Sequence, residues 1–258
     1  MNRQSEFMVF TIELARRVGK LLMKFHNQRL KPIWTSPTHF KTKADEDSNQ
    51  LIRRAIISRF PEHNILSEES APRRKKSLFT WVIDPVDGTI NLRTGVTDHF
   101  SVCIAFCENK TPILGVINAP KRKEFYRAER NKGAFCNDLP IYVSETKDIS
   151  PILMGVDSGK HDRAKHLPYL KKLLSPGGIT CFLSTGCASV PLSLVARGTL
   201  DAYLATSLEP EDMAAAVVII REAGGKVTNL QGKEWQLGDK SILATNPYLH
   251  KKLIKFLV

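Results

Sequence analysis

The chain of 258 residues predicts a mixed α/β (α+β) fold, because helix and strand patterns both recur along it. Residues 7–25 place apolar side chains three and four positions apart, which is the period of an amphipathic helix. Residues 79–83 form a short run of aromatic and β-branched side chains, typical of a buried strand. Residues 213–220 are almost all small or apolar, which indicates a buried helix.

Composition narrows the class of protein. Hydrophobic residues make up 42% and charged residues 25%, as in an ordinary soluble globular protein. The apolar runs are shorter than the ~18 residues of a membrane span, and the charged N-terminus does not resemble a signal peptide. Five cysteines without a C-x-x-C pair indicate reduced thiols. We therefore expect a cytoplasmic protein with no membrane partner.

The net charge of +12 has two interpretations. It could attract nucleic acid or phosphorylated substrates, or it could be a solvated basic surface. The basic residues are scattered apart from two short runs at 73–76 and 121–123, and no nucleic-acid-binding motif is present. We expect a solvated surface and no nucleic-acid partner.

The helices and strands of the first half are predicted from the spacing of apolar residues and from the prolines and turn residues that interrupt it. Pro32 and Pro37 end the first helix and open a loop, and a second helix capped by Asp47 or Ser48 runs to Phe60. The patterns beyond it predict a strand from residue 65, a strand ending at 84, paired strands at 100–107 and 112–118 around a turn at 108–110, strands at 124–127 and 134–136, and a turn at 137–138.

A composition shift at 144–151 predicts two lobes within one domain, 1–146 and 147–258. The N-terminal lobe would hold the metal site and the C-terminal lobe would complete the substrate pocket. The patterns of the second lobe predict strands at 152–156, 180–183 and 201–204, and helices at 163–174, from 187–189 to 197, and at 212–222 with a glycine C-cap at 224–225.

Residues 84–89, with the sequence D-P-V-D-G-T, end the apolar run at 79–83. Pro-x-Asp-Gly is turn chemistry, so Asp84, Asp87 and the hydroxyl of Thr89 leave the strand end together. Gly88 lets a ligand approach the backbone closely. Carboxylates gathered beside such a glycine suit Mg²⁺ and phosphate.

Three more acidic positions occur where residues that interrupt helices and strands adjoin apolar segments. They are Asp45, the pair Glu68 and Glu69, and Asp212. Alone, Asp45 and Asp212 could be helix N-caps and the glutamates a solvated loop. Two unit charges 4 Å apart repel by about 4 kcal/mol at an effective dielectric near 20, so five converging carboxylates would need cations. Two or three Mg²⁺ ions would balance them.

The order of these residues resembles the inositol monophosphatase family over nearly the whole chain. The strand followed by D-P-V-D-G-T is the most specific motif. The segments that carry the resemblance are Asp45, 60–70 (FPEHNILSEES), 81–91 (WVIDPVDGTIN), 115–120, 133–137, Asp212 with Ala214 and Ala215, and 222–225 (EAGG).

The resemblance implies a layered αβαβα sandwich and a lithium-sensitive, Mg²⁺-dependent phosphatase that is commonly a homodimer, with Mn²⁺ as a substitute metal. It gives catalytic roles to Asp45, Glu68 and Thr89. Asp45 and Thr89 would orient the attacking water, with Asp45 also near a weaker metal site. The implied ligands of two to three metal ions are Glu68, Asp84, the carbonyl of Val86, Asp87 and Asp212. The implied substrate contacts are Asp87, the N–H groups of Gly88 and Thr89, Gly186, Cys187, Ala188 and Asp212.

The chain departs from the family pattern near the substrate. Four positions differ: Glu211 replaces a tryptophan, Ser67 a glycine, Asn49 a glutamate, and Ala205 a glutamate that contacts inositol hydroxyls. Asp157 and Ser158 lie on the substrate side. Glu209 and Glu211 could attract an amine-bearing substrate such as histidinol phosphate.

Two classes of function follow. The first is a phosphomonoesterase for inositol 1-phosphate or a related sugar or polyol phosphate. Alternatives within the superfamily are fructose-1,6-bisphosphatase, 3′-phosphoadenosine-5′-phosphate nucleotidase and histidinol-phosphatase. The second class is a catalytically silent basic binding protein. The intact set of metal and water-orienting residues argues against silence.

Overall fold

The computed structural model describes residues 4–26, 28–159 and 162–257. Within them, the helices are α1 (Glu6–His26), α2 (Lys43–Arg59), α3 (Thr89–Thr94), a short 3-10 helix (Arg163–His166), α4 (Leu167–Leu173), α5 (Ser189–Ala196), α6 (Pro210–Glu222) and α7 (Pro247–Leu257). The strands are β1 (Ile33–Ser36), β2 (His39–Lys41), β3 (Asn64–Ser67), β4 (Ser70–Arg73), β5 (Phe79–Asp87), β6 (Ser101–Glu108), β7 (Thr111–Ala119), β8 (Glu124–Glu129), β9 (Ala134–Cys136), β10 (Leu139–Pro140), β11 (Leu153–Asp157), β12 (Cys181–Leu183), β13 (Ala202–Ala205), β14 (Lys226–Thr228) and β15 (Ile242–Thr245).

The strands form two large mixed sheets and one hairpin. The eight-stranded sheet has the order β10-β9-β8-β7-β6-β5-β3-β4, and its β3–β5 pair is parallel. The five-stranded sheet has the order β12-β11-β13-β15-β14, in which β12, β11 and β13 run parallel. Strands β1 and β2 pair only with each other.

The helices separate these sheets into layers. Helices α1 and α2 pack on one face of the eight-stranded sheet, while α6 packs on its other face beside α5. Helix α5 also contacts β13 and β15 of the second sheet, whose outer face carries α7. The resulting order of layers is α, β, α, β, α, which confirms the predicted sandwich.

Alternation along the strands fills the layers on both sides. In β5, Trp81 and Ile83 pack toward α1 and α2, whereas Val82 joins the core around α5 and α6. In β13, Tyr203 belongs to that central core and Leu204 to the core under α7. Because successive side chains of a strand point to opposite faces, each sheet is buried on both faces.

The starts of two helices differ from the prediction. Helix α2 begins at Lys43 and is capped by Thr42, so the predicted cap at Asp47 or Ser48 was wrong. The Thr42 hydroxyl accepts a hydrogen bond from the backbone N–H of Ala44 (3.2 Å), which stabilises the earlier start. Helix α6 begins at Pro210. Asp212, which was expected at the start of this helix, therefore lies inside its first turn.

Several elements were not predicted. The β1–β2 hairpin lies in the expected loop after α1, and α3, β14, β15 and α7 are further additions. The predicted helix at 163–174 divides into the 3-10 helix and α4. The division into two lobes at residue 146 stays a prediction. Across the described ranges, every helix is too short or too polar to cross a bilayer.

Candidate metal and phosphate site

Three carboxylates converge at the end of β5. Strand β3 runs parallel to β5, with Ser67 beside Ile83, so Glu68 emerges next to Asp84. The backbone N–H of Glu68 donates to the carbonyl of Ile83 (3.3 Å) and fixes this position. Asp212 enters from the first turn of α6. One carboxylate oxygen from each of Glu68, Asp84 and Asp212 lies within 4.8 Å of the others.

The chemistry of this cluster fits a hard cation. Asp84 and Asp212 are buried, so water screens their charges poorly. Because these oxygens lie no more than 4.8 Å apart, each pair of charges repels by at least about 3 kcal/mol at an effective dielectric near 20. Carboxylate oxygens alone are the ligands that Mg²⁺ prefers, and they exclude a thiolate-type zinc site.

The Asp87 carboxylate is held by hydrogen bonds from the chain around the start of α5. Its Oδ1 accepts from the N–H of Ala188 (3.2 Å), and its Oδ2 accepts from the N–H of Ser189 (2.6 Å) and the thiol of Cys187 (3.1 Å). These donors stand at the start of α5. The cluster within 4.8 Å does not include Asp87, although its side chain lines the same cleft as Glu68 and Asp84.

Asp45 and Thr89 are hydrogen-bonded to each other. The Thr89 hydroxyl lies 2.8 Å from Oδ1 of Asp45 and 3.0 Å from the carbonyl oxygen of Val86. Oδ2 of Asp45 accepts from both the N–H and the hydroxyl of Thr42, each at 2.7 Å. Burial raises the pKa of Asp45, and the hydrogen bonds from Thr42 and Thr89 oppose that rise. The predicted pair is therefore present and rigidly held.

Gly88 connects β5 to α3 in a conformation that other residues avoid. Its φ is +83°, and a Cβ built on it would lie 2.4 Å from the carbonyl oxygen of His99. Only glycine fits both conditions. The turn places Gly88 and Thr89 in the wall of the cleft.

Two cavities meet at this turn. A cleft of about 280 Å³ contains Glu68, Asp84 and Thr89. A second cavity of about 360 Å³ is lined by Asp157, Ser184 and Asp212, together with Cys187 and Ala188. Both linings also include Asp87, Arg163 and Gly186. The carboxylate cluster thus stands between the smaller cleft and the larger cavity beside it.

His39 and Arg163 were missed by sequence reasoning. Nε2 of His39 lies 3.9 Å from Oε1 of Glu68, and His39 lines the cleft. Its position depends on the β1–β2 hairpin, which the two prolines had indicated to be a loop. Arg163 lies in the 3-10 helix and reaches both cavities. Its sequence context gave no signal beyond a charge on a predicted helix.

The two acidic residues before Asp212, Glu209 and Glu211, have different surroundings. Glu209 forms an ion pair with Lys240, so its charge is already balanced. Glu211 is 8% exposed, and its Oε2 has no hydrogen-bond partner among the residues that the structure describes. Burial raises the pKa of Glu211. The prediction that both acids attract an amine is therefore weakened for Glu209.

Known proteins resemble the chain over its full described length. The sequence model of the inositol monophosphatase family matches residues 3–258. A Thermotoga maritima protein named fructose-1,6-bisphosphatase/inositol-1-monophosphatase is 33% identical, over 95% of this chain and 93% of its own. Mouse inositol monophosphatase 1 is 31% identical, over 97% and 93% of the two chains. The crystal structure of the extragenic suppressor protein SuhB from Bartonella henselae superposes with a TM-score of 0.91 at 28% identity, covering 98% of both chains.

Proposed function

Since this chain belongs to the inositol monophosphatase family and is a phosphoric monoester hydrolase, we propose that it hydrolyses inositol 1-phosphate or a related polyol phosphate with Mg²⁺. The observation that carries the proposal is the convergence of Glu68, Asp84 and Asp212 within 4.8 Å, in the cleft that Thr89 also lines. Metal-assisted hydrolysis needs a site for a hard cation next to a group that orients water, and the Thr89 hydroxyl can be that group.

The cation set in this proposal is two to three Mg²⁺ ions, with Mn²⁺ as a substitute. Glu68, Asp84 and Asp212 would hold them, together with the carbonyl of Val86 and the carboxylate of Asp87. Bound Mg²⁺ supplies charge neutralisation and polarises both the attacking water and the phosphate oxygens. Glu68 belongs to the catalytic set because it is one of these ligands.

Asp45 and Thr89 orient the water in this proposal. The Thr89 hydroxyl has one proton, which it donates to Asp45, so its lone pairs remain for a water in the cleft. The water attacks phosphorus directly, the bond from phosphorus to the leaving oxygen breaks, and no phosphoenzyme forms. The proton of the water passes through Thr89 to Asp45, and the leaving oxygen takes a proton from solvent.

The two cavities divide the substrate between them. The N–H groups of Gly88 and Thr89 would hold the phosphate in the smaller cleft. The leaving group would enter the larger cavity, against Gly186, Cys187 and Ala188. Asp87 lines both cavities, and Asp212 in the larger one approaches Glu68 and Asp84 of the smaller one to within 4.8 Å.

A bisphosphate is the second candidate substrate. Arg163 lines both cavities, and a guanidinium suits a second phosphate. The Thermotoga maritima relative carries both activities in its name. On this alternative, Arg163→Gln raises the KM for fructose 1,6-bisphosphate at least tenfold and leaves the KM for inositol 1-phosphate within about twofold.

The decisive experiment measures phosphate release from a panel: inositol 1-phosphate, fructose 1,6-bisphosphate, histidinol phosphate, 3′-phosphoadenosine 5′-phosphate and p-nitrophenyl phosphate. We expect turnover with Mg²⁺ or Mn²⁺, none with EDTA, inhibition by lithium, and the highest kcat/KM for a polyol phosphate. Absence of release from every compound with either metal would overturn the proposal.

Two further properties belong to the proposal. We propose a homodimer, which sedimentation equilibrium tests directly. We also propose that the basic surface is solvated and binds no nucleic acid. A gel shift with duplex DNA and with RNA at moderate salt should then show only free probe.

A further inference from the structure

Asp157 stands at an edge of the second sheet that faces the larger cavity. It is the last residue of β11, whose neighbours β12 and β13 run parallel to it. Parallel strands end at the same sheet edge, and ligands commonly bind outside that edge. Asp157 and Ser184, which follows β12, line the 360 Å³ cavity there.

Two hydroxyl groups hold the Asp157 carboxylate in place. Ser184 donates to Oδ1 (2.8 Å), and the buried Tyr203 donates to Oδ2 (3.0 Å). Burial raises the pKa of the Tyr203 hydroxyl well above its usual value, so Tyr203 remains a donor. Each carboxylate oxygen has about two acceptor sites, so each keeps one for a ligand. The carboxylate is preorganised without being saturated.

The position of this carboxylate is costly for folding. Burial raises the pKa of Asp157 to about 6, with a smaller contribution from the charge of Asp87. Asp157 is therefore ionised at neutral pH at the expense of stability. Acidic groups kept charged in a cavity wall are typical of functional sites.

The surroundings of Asp157 select hydroxyl donors over a cation. Its direct partner across β13 is the buried Ala205, so the neighbouring strand adds no second carboxylate at this level. Asp87 and Asp212 also line this cavity, but the proposed Mg²⁺ ions would balance their charges, whereas Arg163 in the same wall would repel an ammonium group. A neutral group that donates hydrogen bonds meets neither obstacle.

We infer that Asp157 is a specificity-determining residue that binds two neighbouring hydroxyls of the leaving group, one on each carboxylate oxygen. The inference rests on the proposed phosphatase function and identifies the substrate class as phosphates of polyols with a vicinal diol. Asp157 acts on binding of the leaving group and takes no part in the attack on phosphorus.

The test compares Asp157→Asn with the wild type on two kinds of substrate. For inositol 1-phosphate we expect KM to rise at least tenfold while kcat stays within about threefold. For p-nitrophenyl phosphate, whose leaving group carries no diol, both constants should stay within about twofold. Equal losses on both substrates would show that Asp157 only supports the fold, and unchanged constants on both would show that it does not contact the leaving group.

Asp201→Asn is the matched control. Asp201 immediately precedes β13 of the same sheet and also accepts two hydrogen bonds, from the Ser144 hydroxyl (2.8 Å) and the N–H of Leu153 (2.9 Å). Leu153 begins β11, so Asp201 lies at the strand end opposite Asp157. We expect this variant to change both substrates equally or not at all.

A binding measurement separates the inference from the phosphatase proposal. Titration of myo-inositol, followed by saturation-transfer NMR, reports the contact even if the wild type releases no phosphate. We expect the affinity of Asp157→Asn to be at least tenfold weaker than that of the wild type. Equal affinity, or no binding to the wild type, would overturn the inference.

Discussion

The hydroxyl of Thr89 donates a 2.8 Å hydrogen bond to Oδ1 of Asp45 and so joins the first residue of α3 to the first turn of α2. The same carboxylate accepts two hydrogen bonds from Thr42 through its other oxygen. One aspartate therefore completes the capping box at the start of α2 and holds the Thr89 hydroxyl. The N-cap of α2 is Thr42, so Asp45 is not the cap itself but the N3 residue of the capping box, and its part in orienting the water stays a proposal.

Removal of the Thr89 hydroxyl tests this relationship. We expect Thr89→Ala to lower kcat by about 10² to 10⁴, because an oriented proton acceptor contributes that much. Thr89→Ser keeps the hydroxyl and should retain most activity. The rise in Tm on adding Mg²⁺ should be the same in all three proteins. An alanine variant with near wild-type kcat would contradict the assigned role.

Replacement of Asp84 tests the cation site independently of turnover. Asp84→Asn can keep the 2.9 Å hydrogen bond from the N–H of Val86 while it removes one of three clustered charges. In EDTA the variant should be more stable than the wild type by about 1 kcal/mol or more, because the repulsion falls.

Mg²⁺ should reverse that order of stability. A ligand that binds only the folded state stabilises it by RT ln(1 + [L]/Kd), so the wild type gains Tm with Mg²⁺ and the variant gains much less. Turnover should also be lost in the variant. Equal Tm shifts in the two proteins would remove Asp84 from the set of ligands.

Local chemistry made part of the site predictable from sequence. The D-P-V-D-G-T turn placed Asp84 and Thr89 at one strand end because proline, aspartate and glycine fix that geometry. Glu68 and Asp212 are far from that turn in sequence. Their place in the site was predicted from the resemblance to the family and not from local chemistry. Their approach to Asp84 is set by the parallel β3–β5 pairing and the docking of α6, which no local pattern encodes.

Some parts of the structure were missed for physical reasons. The strands of the β1–β2 hairpin are exposed or half-exposed. Their sequence therefore lacks the alternation of apolar and polar residues that predicts a strand. The cap of α2 was misplaced because Thr42, Asp47 and Ser48 are all favourable N-cap residue types. The capping box that Thr42 forms with Asp45 sets the observed start. The pairing of Asp157 with Ala205 could not be predicted, because it is set by the register of two strands and the residues are 48 positions apart in sequence.

Gly88 and Gly95 form a pair for measuring the cost of the turn. Both have positive φ, +83° and +68°, but only Gly88 has a neighbour that a Cβ would strike. Gly95→Ala should cost about 1 to 2 kcal/mol of unfolding free energy for the left-handed backbone alone.

The glycine at the site should cost more. Gly88→Ala adds the overlap with the carbonyl of His99, which should raise the total by about 1 to 3 kcal/mol. Urea unfolding of both variants gives the difference directly. Equal costs for the two substitutions would mean that the His99 segment moves aside freely.

The pH dependence of stability should report the buried charge of Asp157. Its pKa rises from 3.8 to about 6 on folding, so between these values the native state binds more protons than the unfolded state. Stability therefore falls as pH rises from about 4 to about 6 and is level above that, by on the order of 3 kcal/mol in total. Asp157→Asn has no such charge, so its stability relative to the wild type should increase over the same interval. Urea unfolding in EDTA at pH 4, 5, 6 and 7 measures this difference, and a difference that is constant with pH would show that the charge is not buried in solution.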